Sequence, residues 1–366
     1  MQHQVILLLC WKLLVMRPSQ YISEKALHRL VAGLRKKSGG SCKARDWREK
    51  DIIEGKCVES FVIVLPTKGC SWAKASGCTM CGYINDSCPT ATDSLLISEF
   101  ERAIRNLKGE KSIKIYTSGS FFDNNEVGES VRNYIYKAVR DKVERLVVES
   151  RPEFINENVA HEAQEFGSMM IALGLESASN DILKYSINKG FTVDEYIRAV
   201  GIVRRWAEIK TYVLLKPPFL SEKDAIEDCI KSAVFASKYS DIVSINPVNV
   251  QKGTLVEHLW IRGEYRPPWL WSVLKVFEMA GEEVEKNNAR LISMPTSWGR
   301  ERGAHNCGAC DRYVVDRIHS LSFENADYTG IFDDIECQCR NTWEKIVKYS
   351  DFMYTSVDVQ SMLACI

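Results

Sequence analysis

The chain has no net charge: 48 Lys and Arg balance 48 Asp and Glu over 366 residues. A balanced composition excludes a general polyanion binder, because non-specific affinity for nucleic acid rests on basic groups neutralising phosphates, although a local basic face stays open. A long apolar run is also lacking. The nearest candidate, Val5–Val15, is interrupted by Lys12 and falls short of the roughly 20 residues that cross a bilayer. It has neither a basic leader nor a small-residue cleavage site, so no secretory signal is expected. The biological start is read as Met16, the alternative being that the run packs into a core. No internal repeat or low-complexity tract is present, which argues against solenoid architectures. These absences predict a soluble, cytoplasmic protein with no membrane partner.

What remains is ordinary globular composition, 45% hydrophobic and 26% charged, in a chain long enough for one large domain and a smaller one. Cysteine is the exception. Thirteen are present, an odd number and partly clustered. Disulfide scaffolds are usually short and secreted, so clustered cysteines in a chain of this kind point to metal or iron–sulfur binding. Cys10, Cys42, Cys229 and Cys365 stand alone and are expected to be inert.

Three regions are expected. Residues 1–59 read as an N-terminal extension: a helix from Tyr21 followed by a basic, Gly-containing loop to Lys50. Between Arg29 and Lys50 there are eight Lys or Arg and two acids. A solvated helix face is the favoured reading and an RNA-contacting patch the other. Residues 60–292 alternate short strands with amphipathic helices. Strands are expected at Phe61–Leu65, Ile113–Thr117, Arg145–Glu149, Met169–Gly174, Thr211–Leu215 and Ile242–Ile245, each apolar and rich in β-branched residues. Helices are expected at Ser98–Leu107, Ser130–Lys142 and Asp194–Ala207, the last opened by a capping box at Thr192 and Glu195. Strand–helix alternation implies a parallel sheet. Six units suit an α/β fold of the partial (βα)6 TIM-like barrel type, with a doubly wound open sheet as the alternative. Residues 293–366 read as a small cysteine-rich region.

The segment VLPTKGCSWAKASGCTMCGY places Cys70, Cys78 and Cys81 in the loop after the first strand, spaced C-x7-C-x2-C. Three thiolates can hold three irons of a 4Fe-4S cubane and leave the fourth open for a chelating cofactor. Barrel active sites form from loops at the strands' C-terminal ends, where this loop falls. The alternative is a zinc site, which would need a fourth ligand such as Cys57 or Cys88.

Several further segments, in order, carry a resemblance to a known family. TSGSFFD at Thr117–Asp123, VESRPEFI at Val148–Ile155, LGLESASNDILKYSINKGFTVDEYIRA from Leu173, INPVNVQKGTLVEHLW and GEYRPPWLW resemble successive motifs of the radical-SAM superfamily, in the branch containing the Elongator catalytic subunit. The resemblance runs from about Phe61 to Ala280. It implies a 4Fe-4S cluster on Cys70, Cys78 and Cys81 that cleaves S-adenosylmethionine (SAM). It further implies that Ser118, Gly119, Ser120, Glu149, Glu176 and Ser177 contact SAM. The cysteine spacing differs from that of the superfamily at large and from Elongator's, and Met80 stands where an aromatic is common.

Near the end, GAHNCGACD supplies Cys307 and Cys310 and ECQC supplies Cys337 and Cys339. Two close pairs read as a four-thiolate site for one structural zinc, with His305 able to replace a cysteine; a second iron–sulfur cluster or free thiols are the other readings. The 74 residues after Ile292 (366 − 292) are too few for Elongator's acetyltransferase domain. With the NCGACD segment, this resembles the family of archaeal radical-SAM partners of archaeosine synthase. That resemblance implies cleavage of the lysine C–N bond in a lysine-modified 7-deazaguanine of tRNA. It also implies three partners: tRNA, the lysine-transferring archaeosine synthase subunit and an electron donor. Alternatives are another radical-SAM RNA- or cofactor-modifying enzyme, or a non-catalytic zinc- and RNA-binding protein. Arg29–Lys50 and the weaker group Arg300, Arg302, Arg312 and Arg317 are expected to flank the barrel mouth.

Overall fold

The structure, a computed structural model, describes residues 23–34, 40–324 and 327–350. The run Val5–Val15, Met16, Cys10, Cys365 and the basic residues Arg35, Lys36 and Lys37 lie outside them.

Eight strands stand in chain order in one sheet. Strands β1 (Arg45–Ile53) and β2 (Lys56–Val64) form an antiparallel hairpin, turned at Glu54 and Gly55, both at positive φ. Then β3 (Ser112–Tyr116), β4 (Arg145–Ser150), β5 (Met169–Glu176), β6 (Glu208–Leu215), β7 (Ile242–Pro247) and β8 (Arg290–Ser293) follow. Each runs parallel to the strand before it. Helix α1 (Glu24–Leu34) precedes the sheet and the short α2 (Ser71–Ala75) lies in the loop after β2. The crossovers are α3 (Asp93–Ile104), α4 (Glu129–Val139), α5 (Glu157–Phe166), α6 (Val193–Val203), α7 (Glu222–Ser237) and the pair α8 (Leu255–Ile261) and α9 (Leu270–Lys286). After β8 come α10 (Asp311–Phe323) and α11 (Gln338–Lys348).

The sheet curls into a half-barrel. Arg145 on β4 donates to the Ile52 carbonyl on β1. Ile52, Val147, Met170, Ile242 and Ile292, from five strands, share one small buried cluster with Phe323 of α10. Strands so far apart in a flat sheet could not meet. Helix α10 packs on both β8 and β1 and so lies over the seam between them. The expected partial barrel is therefore observed, with a hairpin strand and a seventh parallel strand in addition.

The two sheet faces divide the labour. The outer face carries Ile113, Ile115, Leu146, Val148, Ile171 and Leu173, all fully buried under the helices; each such side chain contributes roughly 1.5–3 kcal/mol. Helix α6 packs there through Tyr196, Val200 and Val203, and its start is fixed by the expected capping box of Thr192 and Glu195. The inner face mixes that apolar cluster with polar groups: Ser60, Ser112, Lys114, Arg145 and Lys210 are buried in the lumen beside it. Burying ionised groups is costly unless they are paired or used, which already marks the lumen as the functional side.

Two sequence readings are corrected. The stretch from Arg45 is strand, not loop; its charges alternate with Trp47 and Ile53 and hid the period-2 pattern. Arg45 pairs with Asp86 at 3.4 Å and Arg48 with Glu110, while Lys43, Arg45, Arg48 and Lys50 all stay exposed at the surface. Cys42 does not stand alone: it is disulfide-bonded to Cys88, tying the segment before β1 to the loop after the cysteine motif. Among the described residues no helix is long and apolar enough to cross a membrane.

Candidate active site at the barrel mouth

The cysteine loop is held by distant parts of the chain. Cys70 caps the start of α2, and Trp72 on that helix donates to the Asn188 carbonyl at 2.9 Å. The Asn188 side chain, at φ +56, donates back to Gly77 at 2.7 Å. Thr79 donates its amide to Ile187 at 2.9 Å and its hydroxyl to Ser186 at 2.8 Å. Beyond Cys81, the Gly82 amide donates to Gln251 Oε1 at 2.6 Å, Gln251 Nε2 to Asn249 at 3.1 Å, and Asn249 Nδ2 to Thr296 at 3.1 Å. The loop thus rests on the turn after β5, the loop after β7 and the C-terminal region. Cys70 and Cys78 are buried and Cys81 partly so.

The loop after β3 closes on the other side. Gly119 leaves no room for a side chain between Cys70 and Glu126. Glu126 accepts from Thr67 at 2.8 Å and from the Ser120 amide at 2.8 Å; burial pushes its pKa up to about 7 against those bonds. Ser71 donates to the buried Asp123. The Ser120 hydroxyl accepts from the Arg151 amide at 3.0 Å.

Two buried cations face the cysteines. The Arg151 guanidinium lies 5.7 Å from the Trp72 ring and 5.3 Å from that of Phe191, pairs with Glu153 and donates to the Lys189 carbonyl. Burial opposes its charge, but Cys78, Glu153 and Cys70 more than restore it and raise its pKa. Lys189 pairs with Glu176 at 2.8 Å; burial is again outweighed, by Glu176 and Cys78. Burial pushes the Cys70 thiol up, and Arg151 opposes that shift. Glu176 sits at a β-bulge with φ +72, backbone strain of the kind kept at functional sites.

Glu149 accepts from the Tyr212 hydroxyl at 2.9 Å, and burial pushes its carboxyl up to about 7. Ser177 is fully buried and donates to Asp228 of α7 at 2.9 Å, away from the mouth. Ser118 is half-buried at the rim. Beside Cys81 a groove of about 480 Å³ opens, lined in part by Tyr83, Asn85, Asn249, Gln251 and Lys252. Tyr83 is half exposed on its wall, and desolvation, Cys81 and Glu149 push its hydroxyl pKa up to about 12. Sequence reasoning missed Glu126, Arg151, Lys189, Tyr83 and Gln251. Arg151 and Lys189 lay within the quoted motifs; the signal for Arg151 was a cation directly after an apolar strand, and Lys189 had none.

The four C-terminal cysteines converge. All their sulfurs lie within 4.8 Å of one another, with Cys307–Cys310 at 4.0 Å and Cys307–Cys337 and Cys310–Cys339 at 3.5 Å. A tetrahedral ion with bonds of about 2.3 Å separates its thiolates by about 3.8 Å, so the set fits a single ion. Trp271 of α9 donates to Cys339 at 3.2 Å and Asn306 to Cys310 at 3.4 Å. His305 stands apart, its Nδ1 on the Gly303 carbonyl at 2.8 Å. Of the basic residues nearby, Arg302 is paired to Glu257, Arg312 to Asp316 and Arg317 to Asp334, while Arg300 is exposed.

A curled parallel sheet with a three-cysteine loop after its first parallel strand defines a radical SAM protein, and the sequence pattern described as the Radical SAM superfamily matches residues 64–228. The chain is 38% identical over 325 residues to archaeosine synthase subunit beta of Methanosarcina acetivorans, covering 85% of this chain and 91% of that one. It is 37% identical over 319 residues to the same subunit of Thermococcus kodakarensis, covering 82% and 96%. Among solved structures, the archaeal Elp3 of Methanocaldococcus infernus matches with a TM-score of 0.44 and 16% identity over 63% of this chain and 59% of that one. The chain belongs to the archaeosine synthase subunit beta family of the radical SAM superfamily.

Proposed function

We propose that this protein is the radical-SAM subunit that completes archaeosine in tRNA. It would cleave the lysine C–N bond of a lysine-modified 7-deazaguanine and act with the lysine-transferring subunit and an electron donor. The reading is carried by the cysteine loop set between Gly119 and the two buried cations Arg151 and Lys189, on a chain alike over most of its length to archaeosine synthase subunit beta.

Cys70, Cys78 and Cys81 are assigned to a 4Fe-4S cluster, and the absence of a side chain at Gly119 lets the loop after β3 pack directly on Cys70 beside them. When bound, cluster and SAM supply a hydrogen-abstracting radical. Ser118, Gly119, Ser120 and Glu176 are assigned to SAM. Ser120 and Ser177 have their hydroxyls engaged within the protein and serve by position. Arg151 and Lys189 offset the negative charge of thiolates in a dry setting. Cys307, Cys310, Cys337 and Cys339 are assigned to one zinc, which would knit α10 and α11 to α9. With no net positive charge on the chain, a partner that already grips the tRNA supplies affinity the chain lacks. The cytoplasm is the expected compartment.

The test is conversion in vitro. Reconstituted enzyme, SAM, reductant, the partner and lysine-modified tRNA should yield archaeosine by nucleoside mass spectrometry. Enzyme that cleaves SAM yet leaves that tRNA unchanged would refute the substrate.

A further inference from the structure

The lumen below the mouth holds a buried cation that no carboxylate closes on. Lys210 is 5% exposed, yet among the described residues its ammonium has no hydrogen bond and no ion pair within 4 Å; it lies 5.4 Å from the Tyr212 ring centre. The other lumen lysine, Lys114, is saturated by Glu49 at 2.8 Å and Asp51 at 3.5 Å. Burial and Lys114 push the Lys210 pKa down to about 8. A buried unpaired charge costs several kcal/mol and persists where something else uses it.

Its surroundings have the form of a receptor. Glu149, Ala172 and Lys210 lie in one row across β4, β5 and β6. Glu149 and Lys210 are therefore two strand spacings apart, about 10 Å between backbones, with Ala172 between them in the row and Tyr212 touching both, its hydroxyl on Glu149 and its ring beside the Lys210 ammonium. Each acts on the other electrostatically, Lys210 feeling Asp51 and Glu49 more strongly than Glu149, and the two do not close into a pair. Glu149 gives one oxygen to Tyr212. Above the acids stand aromatic rings: Tyr116 donates to Glu49 at 3.3 Å, and Trp47, 41% exposed, donates to Glu49 at 3.0 Å. Carboxylates under aromatic faces attract an ammonium, and a lone lysine attracts a carboxylate. The row lies four residues below Glu176 on β5, beneath the level assigned to SAM.

We propose that Lys210 and Glu149, facing across Ala172, form a receptor for a zwitterionic α-amino-acid head group, Lys210 taking its carboxylate and Glu149 its ammonium. The proposal rests on the function above, since a lysine joined through its side chain keeps its head group free. Inserted head first, it would bring its far C–N bond up toward the cluster while the RNA stays outside the mouth. Glu149 thereby acts on substrate and not on SAM.

Two small probes test this on the reconstituted holoenzyme with SAM: N6-(1-iminoethyl)-L-lysine, which carries an amidine and the head group, and N-(5-aminopentyl)acetamidine, which lacks the carboxylate. Wild-type protein should bind the first about 10-fold or more tightly than the second, as a charged hydrogen bond warrants. Lys210→Met should bring the two within about twofold. Ala172→Leu, which fills the gap and leaves every charge, should lose the first probe. Glu149→Gln should weaken both probes and leave SAM binding intact. Equal binding of both probes by wild type, or an unchanged ratio in folded Lys210→Met, overturns the receptor; if Lys210→Met does not fold, retained binding in Ala172→Leu overturns it instead. Should wild type convert lysine-modified tRNA but show no such preference, the receptor alone is wrong. Should the preference hold while the tRNA is untouched, the tRNA reading alone is wrong.

Discussion

A β-carbon placed on Gly119 would stand 2.6 Å from the Cys70 α-carbon and 2.0 Å from a Glu126 carboxylate oxygen. Neither neighbour can yield easily, because one is backbone and the other is fixed by Thr67 and the Ser120 amide. Gly119→Ala should therefore displace Cys70 and lose most of the cluster, read as absorbance near 400 nm after anaerobic reconstitution. Ser118→Ala, at the half-buried neighbour, should keep it. Full cluster content in Gly119→Ala would show that the loop tolerates the shift.

The paired cations should set the cluster's potential. Removing one positive charge some 7 Å away, at an effective dielectric constant near 20, shifts a one-electron couple by on the order of 100 mV. Lys189→Met should make reduction harder by roughly that amount, measured by redox titration of the EPR signal. Arg151→Lys keeps the charge and should move the potential less, although it loses the stacking against Trp72 and Phe191. No shift in Lys189→Met would remove its assigned role.

Much of this was legible in the sequence. Six parallel strands were readable because their outer faces are apolar and β-branched, and the three cysteines sit where the barrel topology predicts a mouth. Strand β1 was not readable: Arg45, Asp46, Arg48, Glu49 and Lys50 look like a solvated loop, and only curling of the sheet gives Glu49 and Asp51 their partners on β3. Strand β8 has four residues and little period to show. The pairing of Cys42 with Cys88 spans 46 residues, and no local pattern announces such a contact. Ser177 was legible as part of a motif but not its direction, which Asp228 decides.

Asp228 itself makes stability depend on pH. Burial pushes its carboxyl up to about 6 from the usual 3.8, with Ser177 opposing. The folded state then keeps a proton that the unfolded chain releases, so stability falls as pH rises from about 4 through 6. Asp228→Asn should make that slope shallower, leaving the share that the raised carboxyls of Glu126 and Glu149 contribute, and stabilise the protein at pH 7.5 by up to about 3 kcal/mol. The check is thermal or denaturant unfolding across that window. An equal slope in the variant would show that other groups cause it.

The C-terminal thiolates should bind one metal independently of the cluster. A variant with Cys70, Cys78 and Cys81 all changed to Ala should retain about one equivalent of zinc, and adding Cys310→Ser should abolish it, by elemental analysis. Chelation should also alter the fluorescence of Trp271, whose indole touches Cys339. Less than half an equivalent of zinc in the first variant would count against a closed site.

The amide chain from Gly82 through Gln251 and Asn249 to Thr296 has a bearing on biosynthesis. Synthesis runs from the N-terminus, so the three cysteines leave the ribosome early. The groups that hold their loop in place, at Ser186–Asn188, Gln251 and Thr296, are among residues made roughly 100 to 200 positions later. Until then the thiols have no fixed spacing to offer iron. Loading of the cluster is thus a late event in the life of the chain, and any delivery factor must meet a nearly finished barrel and not a nascent loop.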